Sequence, residues 1–223
     1  MKGIFWNIRG LGKIGRIPAV VSRIRDNHVD IVGIVETKKE SLSVGLLKSL
    51  TGYVEFDWCY LPAKGSAGGI LVGCNLDKFA MSSTVLLQFS VSVFLIDKKT
   101  GFSWKLVVVY GSPYEEGDFN LVRGPSEKTY SRINHRWVDS FNDWINKWAL
   151  IDLDHSNVTE TNNQETLVKA RLYRILVSHS WDAVFPLARV KILERPPSDH
   201  NPLLIDIGVN VFYGKKGFIF EKW

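Results

Sequence analysis

The stretch Val29-Asp30-Ile31-Val32-Gly33-Ile34-Val35-Glu36-Thr37 decides the architecture. From Val29 to Val35 it is apolar apart from Asp30, and it ends at Glu36. A strand with one wet face alternates; a strand buried on both faces does not. The stretch therefore predicts an interior strand of a covered sheet. Upstream, Ile17, Val20, Val21 and Ile24 recur at helical spacing, with Pro18 near the start of that helix. Before the helix, residues 2–7 (KGIFWN) read as a strand that stops at Asn7 and turns through Arg9-Gly10-Leu11-Gly12.

Downstream, SAGGILVGC and VLLQFSVSVFLID read as further strands. The turn Asp97-Lys98-Lys99-Thr100-Gly101 leads into FSWKLVVVYGSP and predicts a hairpin. A helix follows with Trp137, Phe141, Trp144, Ile145 and Trp148 on one face, a spacing that predicts a buried stripe. ARLYRILVS reads as a strand, Trp181 to Phe185 as a short helix or turn, and PPSDHNPLLIDI as a turn running into a last strand. Strands alternating with helices, plus a hairpin, predict an α/β domain over residues 1–208. Residues 209–223 form a basic, aromatic tail.

The chain has 223 residues, 45% of them hydrophobic, which is enough for one sizeable core. A net charge of +5 is compatible with a nucleic-acid partner without requiring one. Two cysteines make neither a zinc site nor a disulfide framework, so a reducing compartment is expected. The polar break at Asn7 argues against a signal peptide, and no apolar run reaches the length of a membrane span. An intracellular protein is expected, nuclear if it acts on DNA, with no obligate protein partner.

Chemistry collects where apolar strands end: Asn7, Glu36, Tyr110, Asp118, Asn120, Asp199 and His200. Strand ends of α/β sheets are where sites are built. Carboxylates and amide oxygens suit Mg²⁺, which takes one or two carboxylates, waters and a phosphate. A nearby histidine can transfer a proton or stabilise phosphate charge. Singly, each residue has a plainer reading: Asn7 as a turn residue, Asp118 and Asn120 as turn caps, Asp199 as an Asx turn before Pro202, Tyr110 as a strand former.

Their order is more specific. FWNIRG, IVGIVETK, VYGSP, GDFN, ARLYRILVS and SDHNPL follow one another as in the endonuclease/exonuclease/phosphatase superfamily, which the chain resembles over nearly its whole length. MKGIFWNIRGLG, LPAKGSAGGILV, LVSHSWDAVFP and FIFEKW look like segments of the endonuclease domains of plant non-LTR retrotransposons. The resemblance implies a four-layered α/β sandwich, two mixed sheets flanked by helices, and Mg²⁺-dependent cleavage of DNA. It implies Glu36 as the main metal ligand with Asn7 beside it, and Tyr110 on the scissile phosphate. Asp118 would orient or deprotonate water next to Asn120. Asp199 would support the metal side, and His200 would bind the phosphate. Arg9, Lys13 and Arg16 form the basic face expected to meet DNA. Thr159 sits at a family threonine, but Glu160 follows where tryptophan is usual.

Two departures carry weight. Tyr173 stands where the family pattern has the aspartate that orients the histidine matching His200, and a neutral phenol cannot replace that charge. Only Pro113, Tyr114, Glu115 and Glu116 separate Ser112 from Gly117. A parallel crossover needs a dozen or more residues. The sequence thus predicts the loss of one strand and its crossover helix, displacement of Asp118 and Asn120, and a weakened, aggregation-prone fold. The resulting expectation is a degenerate DNA endonuclease of impaired or lost activity. The alternatives are an inactive nucleic-acid binder that cleaves nothing and a relic without function. A phosphatase of the same fold is disfavoured by the retrotransposon-like segments.

Overall fold

The computed structural model describes residues 1–65, 67–111, 122–124, 127, 135–153, 174–194 and 200–208. Along the chain run β1 (Lys2–Asn7), α1 (Arg16–Asn27), β2 (Ile31–Val35), α2 (Val44–Thr51), β3 (Phe56–Lys64), β4 (Ala67–Asn75), β5 (Phe79–Leu87), β6 (Ser90–Asp97) and β7 (Ser103–Val109). Then come α3 (His135–Lys147), β8 (Leu150–Asp152), β9 (Leu176–Ser178), α4 (His179–Val184), β10 (Arg189–Ile192) and β11 (Leu203–Asp206). The fold is α/β with mixed sheets. Among the described residues no helix is long and apolar enough to cross a membrane.

The first sheet has the order β10-β11-β1-β2-β4-β3. β1 and β2 are parallel and joined through α1, whereas β11 and β4 flank them antiparallel. β2 is buried on both faces, as its unbroken apolar run predicts. Val32 and Ile34 face the core under α1 and α2, with Ile4, Trp6, Val20 and Leu50. Ile31 faces the second sheet, packing with Ile70, Val72, Val91, Val93 and Val108. Gly33 is on that same inner side for a steric reason. A Cβ there would lie 2.5 Å from Cδ1 of Phe5, so the ring occupies the space a side chain would need.

The second layer is in two pieces: β5-β6-β7 and β8-β9, both antiparallel. Among the described residues, β7 pairs only with β6 and β9 only with β8. Trp104, near the start of β7, meets Trp181, just past the end of β9, with ring centroids 6.2 Å apart. Phe102 and Phe185 meet beside them at 5.7 Å. The end of β9 therefore lies close to the start of β7.

The outer face of β5-β6-β7 carries exposed Val85, Leu87, Phe94, Val107 and Val109. The α3 stripe differs from the sequence expectation. Among its described side chains the buried ones are Val138 and Ile145, whereas Trp144 and Trp148 are 46% and 61% exposed; the side chain of Trp137 lies outside the described residues. Spacing locates a helical face but not its partner; among the described elements the helix packs on the short strand β8, which leaves Trp144 and Trp148 open. The tail, residues 209–223, lies outside the described residues.

Candidate active site

Asn7 is the last residue of β1 and Glu36 follows the last residue of β2. Because the strands are parallel with Asn7 level with Val35, the two side chains reach the same edge. Nδ2 of Asn7 donates to Oε1 of Glu36 at 2.7 Å. The other end of the amide is also fixed: its Oδ1 accepts from the backbone N–H of Arg9 at 3.1 Å. That second bond sets which way the amide faces and so aims its N–H₂ at the carboxylate.

The backbone around Glu36 is clamped from both sides. Gly10 N–H donates to the Glu36 carbonyl at 2.7 Å, and Leu11 N–H to that of Thr37 at 3.0 Å. From the β4 side, the carbonyls of Gly69 and Gly68 accept from the N–H groups of Thr37 and Lys38, at 3.1 and 3.0 Å. Arg9, Glu36 and Lys38 have φ of 48°, 54° and 53°. Left-handed conformations at non-glycine residues cost about 1–3 kcal/mol each and persist where surroundings impose them. Gly69 is part of that imposition: with φ at +87°, a Cβ there would fall 2.2 Å from Oγ1 of the buried Thr37.

Tyr110 directly follows β7, and its ring edge lies 4.0 Å from where a Cβ of Gly68 would be. Since Gly68 also accepts from Lys38, the phenol is beside the Glu36–Lys38 turn. His200 precedes β11, and its carbonyl accepts from Nε1 of Trp6 at 2.8 Å, which brings it to the end of β1. Asn7, Glu36, Tyr110 and His200 thus share one end of the layered sheets. Arg9 and Lys13 are exposed on the β1–α1 loop, but Arg16 is buried in the first turn of α1. The exposed basic face is therefore narrower than the sequence implies. Asp118, Asn120, Tyr173, Thr159, Glu160 and Asp199 lie outside the described residues.

A second polar group, around Arg174, is not evident from the sequence. Arg174 Nη1 lies 2.5 Å from Oδ2 of Asp152, and its Nη2 pairs with Oε2 of Glu127. Arg123 donates its backbone N–H to the same Glu127 oxygen at 2.5 Å, and its Nη1 is 3.7 Å from Asp152. Asn142 on α3 accepts from Nε of Arg123 and donates to its carbonyl, both at 3.0 Å. These residues are far apart in sequence and follow no known spacing. The only signal was charge flanking the apolar runs of β8 and β9.

Glu36 offers hard oxygens. Oε1 is taken by Asn7, and Oε2 has Lys38 Nζ at 3.9 Å. Among the described residues no group of three His, Cys, Asp or Glu is close enough to hold a metal alone. A carboxylate suits Mg²⁺, which keeps waters and shares a substrate phosphate; the Asn7 amide, with its oxygen held by Arg9, orients that carboxylate.

No protein-family profile matches the chain, and no curated protein matches it. Solved structures do. The endonuclease domain of TRAS1, a telomere-specific non-LTR retrotransposon, matches with a TM-score of 0.64 at 13% identity, covering 94% of this chain and 99% of that one. The AP endonuclease LMAP of Leishmania major gives 0.64 at 13% identity, covering 92% and 86%. A mannosyl-6-phosphatase of Bacteroides thetaiotaomicron gives 0.61 at 16% identity, covering 92% and 98%. An endonuclease/exonuclease/phosphatase family protein of the same bacterium gives 0.60 at 17% identity, covering 92% and 96%. Likeness at such identity speaks for architecture: the chain has the DNase-I-like α/β sandwich fold.

Proposed function

We propose that this chain is a retrotransposon-type DNA endonuclease domain of reduced activity. The observation that carries the reading is the 2.7 Å contact between Asn7 and Glu36, set at the end shared with Tyr110 and His200. The similarity of the TRAS1 domain and of the AP endonucleases in fold supports a nuclease over other hydrolases, as do the retrotransposon-like segments of the sequence.

Glu36 would hold Mg²⁺, with Asn7 keeping its carboxylate in place. When bound, the ion neutralises phosphate charge and acidifies water. Tyr110 presents a phenol to a phosphate oxygen. His200 binds the charge that develops there, and Asp118, with Asn120 beside it, takes the proton of the attacking water. Asp199 supports the metal side. Tyr173 accounts for the reduced rate, since it supplies no charge to orient His200. Loss of such a group costs roughly 10–100-fold in metal sites. The shortness of the link between Ser112 and Gly117 supports the reading that a strand and its crossover helix are missing.

The test is nicking of supercoiled plasmid with Mg²⁺ or EDTA. Slow nicking by wild type is expected, abolished in EDTA and in Glu36→Ala, and faster in Tyr173→Asp. Equal nicking by wild type and Glu36→Ala overturns the assignment. A second reading, an inactive DNA-binding domain, is favoured by one observation. Lys39 Nζ lies 3.1 Å from a Cβ position on Gly12, so cations of the β2–α2 loop join Arg9 and Lys13 on the β1–α1 loop. Its mark is binding that falls steeply with salt, without cleavage.

A further inference from the structure

Among the described residues two large apolar side chains are fully open to water, Ile14 and Tyr53. They sit at opposite ends of the first sheet. Tyr53 comes just before β3, whose Phe56 pairs with Asn75 at the end of β4. Ile14 is on the β1–α1 loop, which is bonded to the turn at Glu36, where β4 begins with Gly68 and Gly69. The backbone explains why Ile14 is at a tip. The Lys13 carbonyl accepts from the N–H of Arg16 at 3.2 Å and closes a four-residue turn around Ile14 and Gly15. Gly15 has φ 79° and ψ −8°, the third-residue geometry of a type II turn, which glycine adopts without strain. Ile14 therefore occupies the outer corner and packs against nothing.

The turn is held at both feet. Arg16 is buried at the start of α1, and the N–H of Lys13 donates to the Gly10 carbonyl at 3.3 Å. Gly10 in turn donates to the carbonyl of Glu36, so backbone reach keeps the Ile14 Cα within roughly 15 Å of that carbonyl. The surroundings of the tip are cationic. Lys13 precedes it, and the Cδ of Lys38 lies 3.6 Å, and the Cγ of Lys13 3.8 Å, from a Cβ position on Gly10. Lys39 reaches Gly12 from the other loop, and residues 8–15 contain no acid. An interface with another protein would centre on a broader apolar patch. A single branched alkyl group ringed by cations fits duplex DNA: the lysines neutralise phosphates while the alkyl group enters a groove and parts two stacked bases.

We propose that Ile14 is a DNA wedge. It inserts into the minor groove and unstacks one base step, within about four steps of the phosphate bound at Glu36. The inference rests on the nuclease reading above and adds the form of substrate that the site takes, a duplex kinked beside the scissile phosphate. The type II turn gives the wedge its shape, and the bonds from Gly10 and Leu11 to the Glu36–Thr37 backbone fix its distance from the cut.

The test compares the full wild-type chain with Ile14→Ala, Ile14→Lys and Tyr53→Ala. Binding is read in EDTA on a short duplex in which 2-aminopurine replaces adenine, and nicking is read on plasmid with Mg²⁺. Wild type is expected to raise 2-aminopurine emission, the mark of unstacking. Ile14→Ala is expected to bind roughly tenfold more weakly, to lose most of that rise and to lose kcat/KM by a similar factor. Ile14→Lys adds a phosphate contact, so its salt dependence is expected to steepen by about one unit of slope while the emission rise stays absent. Tyr53→Ala is expected to match wild type in both assays. Both side chains are fully exposed, so thermal midpoints are expected to be unchanged and a loss of binding is not a loss of fold. Wild type that binds without unstacking, or Ile14→Ala that binds and unstacks like wild type, overturns the wedge; nicking in that case leaves the nuclease reading standing. Wild type that unstacks DNA through Ile14 but never nicks removes the nuclease reading and leaves the wedge. Wild type that binds no duplex overturns both.

Discussion

Asn7 and Glu36, 29 positions apart, are joined by a 2.7 Å hydrogen bond from Nδ2 to Oε1 across the ends of two parallel strands. The carboxylate is thereby fixed at its position, with a backbone in the left-handed region that the neighbouring loops impose. A carboxylate held this way loses little freedom on binding a cation, and that preorganisation is what Asn7 contributes.

Asn7→Ala should therefore separate activity from folding. The variant leaves Glu36 one partner short at a site only partly closed to water. A stability loss of about 1–2 kcal/mol is expected by urea denaturation, the cost of one such bond. Mg²⁺-dependent nicking is expected to fall far more, roughly 10–100-fold. A rate loss no larger than the stability loss explains would show that Asn7 only supports the turn.

Gly69 bears on the same turn from the opposite side. Alanine there places a methyl 2.2 Å from the Thr37 hydroxyl and requires a positive φ. Overpacking costs about 1–3 kcal/mol, to which the φ adds. Gly69→Ala is expected to lower the urea midpoint and, by moving Thr37, to weaken Mg²⁺-dependent nicking as well. Gly45→Ala, in α2 with open space around its Cβ position, is the control expected to show neither effect.

Val107 and Val109 are 45% and 46% exposed on β7, which among the described residues is an edge strand. An exposed apolar edge recruits other chains. Val107→Lys is expected to suppress light scattering on mild heating while leaving the thermal midpoint within a few degrees of wild type. Unchanged scattering would place the aggregation-prone surface elsewhere.

Cys74 packs in the core between the sheets, where burial pushes its thiol up to about 12 from an ordinary value of 9.0. In the unfolded chain the thiol ionises at its ordinary value, so between about pH 9 and 12 the unfolded state holds fewer protons than the folded one. Stability is then expected to fall as pH rises through that window. Cys74→Ala, although it leaves a small void, is expected to flatten the alkaline part of the stability–pH curve. In native protein at neutral pH, Cys74 should resist alkylation and become reactive only on unfolding, as read by mass spectrometry.

Much of the architecture was legible because burial leaves a periodic mark. The unbroken run of β2, the helical spacing of Val20 and Ile24, and the turn Asp97–Gly101 each named their element. β3 was not legible: its side chains are mostly half-buried and its pattern is mixed. In α3 the aromatic spacing was real, but which of its residues were covered depended on the element packed against it. At the site, Asn7, Glu36, Tyr110 and His200 were identifiable as polar residues at strand ends. Thr37 and Gly69 were not, and neither was the cluster around Arg174, because their roles depend on neighbours brought from elsewhere in the chain.

The sequence alone determined the α/β class, the interior strand that organises it, the polar strand ends and the shortness of the link before GDFN. All of these are local, set by the order of apolar and polar residues and by the reach of the backbone. Only the tertiary structure decided that Asn7 grips Glu36, that Arg16 is buried while Arg9 and Lys13 are exposed, and that Arg174 binds Glu127 and Asp152. Those facts depend on pairs remote in the chain, which meet only when strand pairing and layer packing bring them together.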